Sequence, residues 1–513
     1  MIKAVIFDMD GTLIDSNELV LSIYRELLKK YPSKVSFDSL DIGDVFAKSY
    51  PEVLQILYGF VHVNHLDFIK KTHNLLKSSL LKTFPYAKET LNHLKSKGYI
   101  LGLLTSEGKD IALDELKLLE LYDEFDSIYT YDDLSKPKPS GQGLIVMMEK
   151  HGLRSHEVIY IGDQISDALA AKDAHVFSVW MGWNGEQKTI YEPHFDDSVF
   201  DFQELVKKIE KESSLEILWD VNTPFRVLQF SDLHLMHDEK DELTFNLIKN
   251  MIKRTNPGLI VFTGDQTMSN QGIVSYQRLG KMMDSFGIPF GYIFGNHDTE
   301  GGSYQQLSQA IESSQQLMFQ NGPIDLGYSN YSIRLVDKNH NVKHLCIFMD
   351  THIDAIYDVN GKSTWGYGTI SIKQIEWYKN LINRYEHVSS SLYMHIPLPE
   401  VKEIKQSDSG YVGDYYETPS VSPVNYGFFD VIKEQKSTKL ICYGHDHLND
   451  FMFEKDGIKL AYGRVSGHYD YAMPGFPKGA RLITIHTDGT VETEVLIDPL
   501  SLELYKKSLK TQS

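Results

Sequence analysis

Asp8 and Asp10 follow an apolar run, Ala4 to Phe7. Thr105 and Ser106 follow a second run, Lys138 lies in Lys-Pro-Lys-Pro-Ser-Gly, and Asp163 ends a later run with Asp167 one helical turn on. A carboxylate attacks phosphorus only where the dianionic phosphate is neutralised, which a Mg2+ ion, a Lys ammonium and a hydroxyl donor do together. A second set shares no member with the first: Asp232-x-His234, Gly-Asp265, Gly-Asn296-His297-Asp298, a lone His395 and Gly-His445-x-His447. Mixed nitrogen and oxygen donors without thiolate suit Mn2+, Fe2+ or Zn2+ rather than Ca2+. Two such ions side by side activate water and clamp a phosphate for in-line displacement. A single D-x-D turn or a single His is commonplace. The ordered series, each block ending a strand-like run, is what points to chemistry.

These side chains need scaffolds. Residues 1 to 212 alternate short apolar runs (Ala4 to Phe7, Ile100 to Leu104, Ile128 to Tyr131, Val158 to Ile161, Val176 to Trp180) with amphipathic helical patterns, the rhythm of an α/β doubly wound parallel sheet. Between about residues 15 and 84 the alternation stops, with helical patterns around Glu18 to Tyr31 and Leu66 to Lys82; this predicts a small helical cap inserted after the first strand. A helix from Phe202 to Glu212 closes the unit. Residues 213 to 224 are expected as a linker, with the Leu215 to Trp219 patch docking on one of the domains. A second α/β domain is expected over 225 to 498, built on RVLQFSDLHL, LIVFTGDQ, FGYIFGNHD, HLCIFMDTH, SSLYMHIPLPE, LICYGHDHLNDF and a β-rich end. Open α/β sheets place ligands at the carboxyl ends of strands, so the polar clusters should converge. Residues 499 to 513 read as a tail with a short helix.

The first motif order resembles the haloacid dehalogenase-like hydrolases, over nearly all of residues 1 to 212. The resemblance implies a Rossmann-like core with a helical cap. It implies Asp8 as the nucleophile that forms an aspartyl-phosphate, and Asp10 as the acid and then the base. By the same resemblance Thr105, Ser106 and Lys138 hold the phosphoryl oxygens, while Asp8, Asp163 and the main-chain carbonyl of Asp10 hold Mg2+, with Asp167 orienting the metal's surroundings. Lys136 competes with Lys138; the Pro-Ser-Gly-Gln-Gly-Leu that follows Lys138 matches the family's spacing better. The acid at Asp10 points to phosphoryl transfer, with a sugar-phosphate mutase as an alternative.

The second series resembles the calcineurin-like metallophosphoesterases over about residues 225 to 490, which implies an α/β sandwich. Asp232, His234, Asp265 and His447 would bind one ion and Asp265, Asn296, His395 and His445 the other, with His297 steadying or protonating the leaving group and Asp298 keeping it useful as an acid. Purple acid phosphatases carry a tyrosine three residues after the bridging aspartate, and Met268 stands there. HIPLPE, NYGFF, GHDHLNDF and YGRVSGHYDY resemble a subgroup found in fungi, plants and bacteria that includes protein phosphatases. Tyr411 to Tyr416 and Tyr462 to Pro477 offer a substrate rim or ordinary loop packing, and His352, His468 and Tyr471 are unassigned.

Bulk properties bound these readings. At 513 residues the chain exceeds one core, since domains average about 150 residues. A net charge of -19 speaks against general nucleic-acid binding, which needs clustered Lys and Arg. Cys346 and Cys442 alone do not make a disulfide scaffold. With no signal-like N-terminus and no run approaching about 18 apolar residues, a cytoplasmic protein without a membrane partner is expected. The leading expectation is a bifunctional hydrolase of phosphoric esters acting on phosphorylated small molecules or phosphoproteins. Two alternatives stand beside it: a C-terminal phosphoesterase with a mutase or accessory N-terminal domain, and a non-catalytic binder of phosphorylated ligands.

Overall fold

A computed structural model describes residues 2–37, 40, 50–183, 188–322, 326–405, 407, 410–469 and 476–511. The chain folds into two compact units, Met1–Glu212 and Ser213–Ser513.

The first unit is built on a six-stranded sheet in the order Ser127–Tyr129, Ile100–Leu104, Ala4–Phe7, Val158–Gly162, Phe177–Met181, Asp197–Val199. Every neighbouring pair is parallel. Parallel strands are covered on both faces and so read as continuous apolar runs, as the fully buried AVIF does. Phe7 pairs with both Leu103 and Ile161, so three strand ends lie flush, and these are the strands that lead into Asp8, Thr105 and Asp163. The sixth strand, Asp197–Val199, gives no comparable signal, being three residues set among acidic neighbours. Between the first strand and residue 84 the described residues form helices Asn17–Lys30, Tyr50–Tyr58 and Val63–Leu80. Their buried Leu19, Ile23, Leu27, Leu54 and Ile69 share one apolar cluster with Phe7 and Leu103 of the sheet.

The second unit carries two sheets. Five strands run in the order Phe290–Ile293, Leu259–Thr263, Phe225–Phe230, Gly479–Ile485, Val491–Ile497. Seven run Met452–Lys455, Ile458–Tyr462, Thr438–Tyr443, Ser389–Tyr393, Val342–Phe348, Tyr331–Val336, Glu216–Leu218. Alternation divides the larger sheet cleanly. Ile333, Cys346, Phe348, Tyr393 and Cys442 join Val227, Phe230 and Phe262 in one core between the sheets. Leu345, Ile347, Leu392 and Ile441 face the other way, under helices Ile372–Arg384 and Phe428–Gln435.

Residues 213 to 224 are not a free linker. Glu216–Leu218 pairs in parallel with Arg334–Val336, and Leu215 and Trp219 enter the core of the second unit. Three short residues at a sheet edge, with Glu216 salt-bridged to the buried Arg334, carry too little alternation to be read as a strand. The tail folds as the helix Pro499–Thr511. Among the described residues no helix is long and apolar enough to cross a membrane.

Candidate active sites

In the first unit three adjacent strand ends deliver the chemistry. The Asp8 main-chain N–H donates to Ile161 O at 2.8 Å, locking the loop to the neighbouring strand. Asp8, Asp163 and Asp167 present carboxylate oxygens that all lie within 4.8 Å of one another. Lys138 Nζ donates to Asp8 Oδ1 at 2.6 Å and to Asp167 Oδ1 at 2.6 Å. Burial works against the ammonium charge, but Asp167 and Asp8 more than offset it and push the Lys138 pKa up. Lys136 is exposed. Asp167 also accepts from the Tyr160 hydroxyl at 2.8 Å and the Gln164 N–H at 2.9 Å, so its oxygens are engaged by protein donors, Lys138 among them. Asp163 accepts from Gln164 Nε2 at 2.6 Å.

Thr105 is buried, its hydroxyl oxygen accepting from the Glu107 N–H at 3.0 Å, while Ser106 is exposed. Burial, reinforced by Asp167 and opposed by Lys138, lifts the Asp8 carboxyl to about 7. Asp10 stands outside the carboxylate trio. Burial, then Glu115 and Glu107, raise its pKa well above the carboxylate range. Glu107, Glu115 and His73 escaped the sequence reading. His73, on the cap helix, sits 2.7 Å from Glu115 Oε1 with both side chains buried. Burial, with Glu107 adding to it, raises Glu115 to about 8, and burial lowers His73. A contact between cap and core joins residues 42 positions apart, and no local pattern announces it.

In the second unit the two sheets contribute different donors. Adjacent parallel strands of the smaller sheet end in Asp232 with His234, in Asp265, and in Asn296 with His297. Adjacent parallel strands of the larger sheet end in His395 and in His445 with His447. Asp232, His234, Asp265 and His445 all adopt left-handed backbone, φ 54, 45, 52 and 76. Non-glycine residues hold that conformation at a cost, and such strain clusters where side chains must be aimed. Gly295 is required because a Cβ there would run into the Asp265 carboxylate.

Two buried trios result, Asp232 with His234 and His447, and Asp265 with His395 and His445, each with donor atoms within 4.8 Å of one another. Asp265 Oδ2 lies 3.2 Å from His395 Nε2 and 3.8 Å from His234 Nε2, within reach of both. His395 Nε2 is 3.1 Å from Asn296 Oδ1, and its Nδ1 donates to Thr263 O at 2.8 Å, which fixes the ring. Burial drives His234 down to about 4 and His445 to about 3, so both rings are neutral and keep a lone pair to offer. His445 Nε2 is buried with no hydrogen-bond partner, and His234 Nε2 faces His447 Nε2 at 3.0 Å. At His395 burial lowers the pKa but Asp265 outweighs it and lifts it to about 10, so this ring gives up a proton when a metal binds. Convergent imidazoles around carboxylates are a donor set for divalent metal, and the residues fit one.

One expectation is corrected. Asp298 does not support the His297 ring; it accepts main-chain N–H bonds from Gly295 at 2.8 Å, Asp265 at 3.0 Å and Thr267 at 3.1 Å, tying two ligand loops together. Glu300 is the partner, with Oε1 2.6 Å from His297 Nδ1. The 3-10 turn Asp298–Gly301 brings the third residue after His297 beside its ring and turns Asp298 inward. Burial lowers the His297 pKa, but Asp265 and Glu300 outweigh it and the net shift is upward. Tyr411 and Tyr415 stack on Phe451, which is loop packing. His352 pairs with Gln374 and His468 with Thr244. Tyr471 lies outside the described residues.

Both halves of the chain are similar to known proteins. Residues 5–181 match the haloacid dehalogenase-like hydrolase family and residues 225–449 the calcineurin-like phosphoesterase family. A phosphoglycolate phosphatase of Nitrosospira multiformis is 30% identical over 223 residues, 41% of this chain and 97% of that protein. A protein of Arabidopsis thaliana named probable inactive purple acid phosphatase 29 is 26% identical over 312 residues, 53% of this chain and 79% of its own. A crystal structure of a hydrolase from Pseudomonas syringae is 24% identical, covers 41% of this chain and 98% of its own, and gives a TM-score of 0.35. Through its first unit the chain belongs to the haloacid dehalogenase-like hydrolases, its second unit carries the calcineurin-like phosphoesterase match, and the chain is a hydrolase of phosphoric esters.

Proposed function

We propose that the chain is a bifunctional phosphatase: a Mg2+-dependent phosphomonoesterase over residues 1–212, and a dinuclear-metal phosphoesterase over 225–498 that takes phosphate mono- or diesters of small molecules or phosphoproteins. The observation that carries it is that each unit gathers a charged set of its own, Asp8 and Asp163 with Lys138 held by Asp167 in one, and two trios, with Asp265 of one within reach of His234 of the other, in the second. In the first unit Asp8, Asp163 and the Asp10 carbonyl would hold Mg2+, which supplies charge neutralisation for the phosphate. Asp8 attacks phosphorus and becomes the aspartyl-phosphate. Lys138 faces the phosphoryl oxygens, aimed by Asp167 and Tyr160, while Thr105 and Ser106 offer hydroxyls. Asp10 enters protonated, gives its proton to the leaving oxygen, and takes one back from the water that cleaves the acyl-phosphate.

In the second unit Asp232, His234, Asp265, Asn296, His395, His445 and His447 would hold two ions of Mn2+, Fe2+ or Zn2+, which supply an activated water and a clamp on the phosphate. His297 protonates the leaving oxygen through Nε2, with Glu300 holding Nδ1. Thr263, through its carbonyl, keeps His395 in one orientation toward Asp265. The Arabidopsis relative carries the name probable inactive purple acid phosphatase 29; this chain holds every carboxylate, amide and imidazole of its own motif series.

The test is hydrolysis of p-nitrophenyl phosphate and its bis ester by wild type, Asp8→Asn and His234→Ala, with Mg2+ or Mn2+ added. Asp8→Asn should abolish the Mg2+-dependent monoesterase and spare bis-ester turnover, and His234→Ala should do the reverse. Equal loss of both activities in either variant would contradict two independent sites. No release by wild type under any metal would contradict catalysis altogether.

A further inference from the structure

Between the strand Val342–Phe348 and the helix Ile372–Arg384 the chain makes a hairpin, Ala355–Val359 paired antiparallel with Lys362–Gly366, and both its ends meet the second site. Just before its start, Asp354 is half-buried, with an unpartnered buried Oδ1, and lies within electrostatic reach of His297 and Asp265. Just past its end, the Tyr367 ring stands edge-on to His445 with centroids 4.4 Å apart, and the Trp365 ring follows at 5.4 Å from Tyr367. Ile356 and Trp365 are direct cross-strand partners and share a face, yet they are 74% and 60% exposed.

The opposite face is backed. Tyr357 shares a side-chain hydrogen bond with Ser422, and a Cβ on Gly366 would strike the Pro423 ring. The hairpin is therefore fixed from behind and open in front. Carboxylates surround the open face: Asp354 and Glu417 bear on Tyr367, and Asp358 alternates onto the same side as Ile356. A polyanionic tail would be repelled there, whereas an uncharged flat ring can stack on indole and phenol.

We propose that Trp365, Ile356 and Tyr367 form a platform for an uncharged planar ring carried on the alcohol side of the ester hydrolysed at the second site. This rests on the phosphoesterase reading of that site. Adenosine 5′-monophosphate and ribose 5-phosphate present the same primary ester and differ by the base, so they are the probes. In full-length Asp8→Asn protein with Mn2+, kcat/KM should favour the nucleotide about tenfold, and Trp365→Ala should bring the ratio near one. Independently of turnover, fluorine NMR of 5-fluorotryptophan-labelled protein, with the Trp365 signal assigned by Trp365→Phe, should show that signal moving with adenosine and not with ribose 5-phosphate.

An unmoved signal with equal turnover of both esters would overturn the platform and leave the phosphoesterase reading standing. A moved signal with neither ester hydrolysed, and no turnover of bis(p-nitrophenyl) phosphate by the same protein, would uphold the platform and remove that reading. A signal that broadens with protein concentration and ignores adenosine would assign the face to a second copy of the chain and overturn the proposal.

Discussion

The two sites solve phosphate's charge in opposite ways. The first surrounds its carboxylates with a built-in cation, Lys138, wedged between Asp8 and Asp167. The second surrounds Asp232 and Asp265 with imidazoles, of which His234 and His445 are neutral. At His395 burial lowers the pKa but Asp265 outweighs it and lifts it to about 10; a bound ion would displace that proton, so the site's working positive charge is left to come from metals. One site carries part of its electrostatics in the covalent chain and the other imports it, so substitutions and metal removal should affect them unequally.

Lys138→Ala should sharpen this contrast most. Loss of a preorganised cation facing the phosphoryl group should cost the first site about 10³-fold in kcat and leave the second unchanged, while Lys136→Ala, at an exposed position, should cost little. If Lys136→Ala alone abolished turnover, the phosphate assignment would pass to Lys136. Next comes Gly295→Ala, which drives a methyl group into Asp265 and should destabilise the second unit by about 3 kcal/mol. Calorimetry should show only one of two transitions moving down, with metal content of the purified protein falling alongside. A variant that melted and bound metal like wild type would break the picture of tightly pressed ligand loops.

Asp167→Asn leaves Lys138 with Asp8 as its remaining carboxylate partner. A positioning role predicts a loss of about 10- to 100-fold in kcat with KM little changed, and Asp167→Glu should restore part of it. The smallest effect concerns pH. Glu115 has an ordinary carboxyl value of 4.5 and is raised in the folded protein to about 8, so between those values the folded state holds a proton that the unfolded state has released. Stability therefore falls as pH rises through that window. Below about pH 7.5 the depressed His73 adds a slope of opposite sign, because the unfolded ring with its ordinary value of 6.5 is still partly protonated there, and this contribution is common to wild type and the variant below. Glu115→Gln, with Mg2+ present, should flatten the fall in the first unit's melting temperature from pH 6.5 to 8 by about 3 °C. Parallel curves for the two proteins would show that Glu115 ionises freely.

Much of both sites was legible because each key residue ends a strand-like run, and the chain's local order is the sheet's order of delivery. Asp8, Thr105 and Asp163 each follow the last residue of one of three neighbouring strands. What escaped was non-local or too short to show a period. His73 meets Glu115 only because the cap closes on the core. Glu300, not Asp298, partners His297 because a 3-10 turn changes which neighbour faces the ring. The hairpin of Ala355–Gly366 carries Trp365 on its open face, and a tryptophan among Ser, Thr and Gly gives no hint of which side is covered.

The strand Glu216–Leu218 has a practical corollary for anyone dissecting the polypeptide. A C-terminal fragment begun at Phe225 would strip an edge from Tyr331–Val336 and pull Leu215 and Trp219 out of the interior. Exposed strand edges invite intermolecular pairing, so such a fragment should precipitate where one begun at Ser213 stays monodisperse.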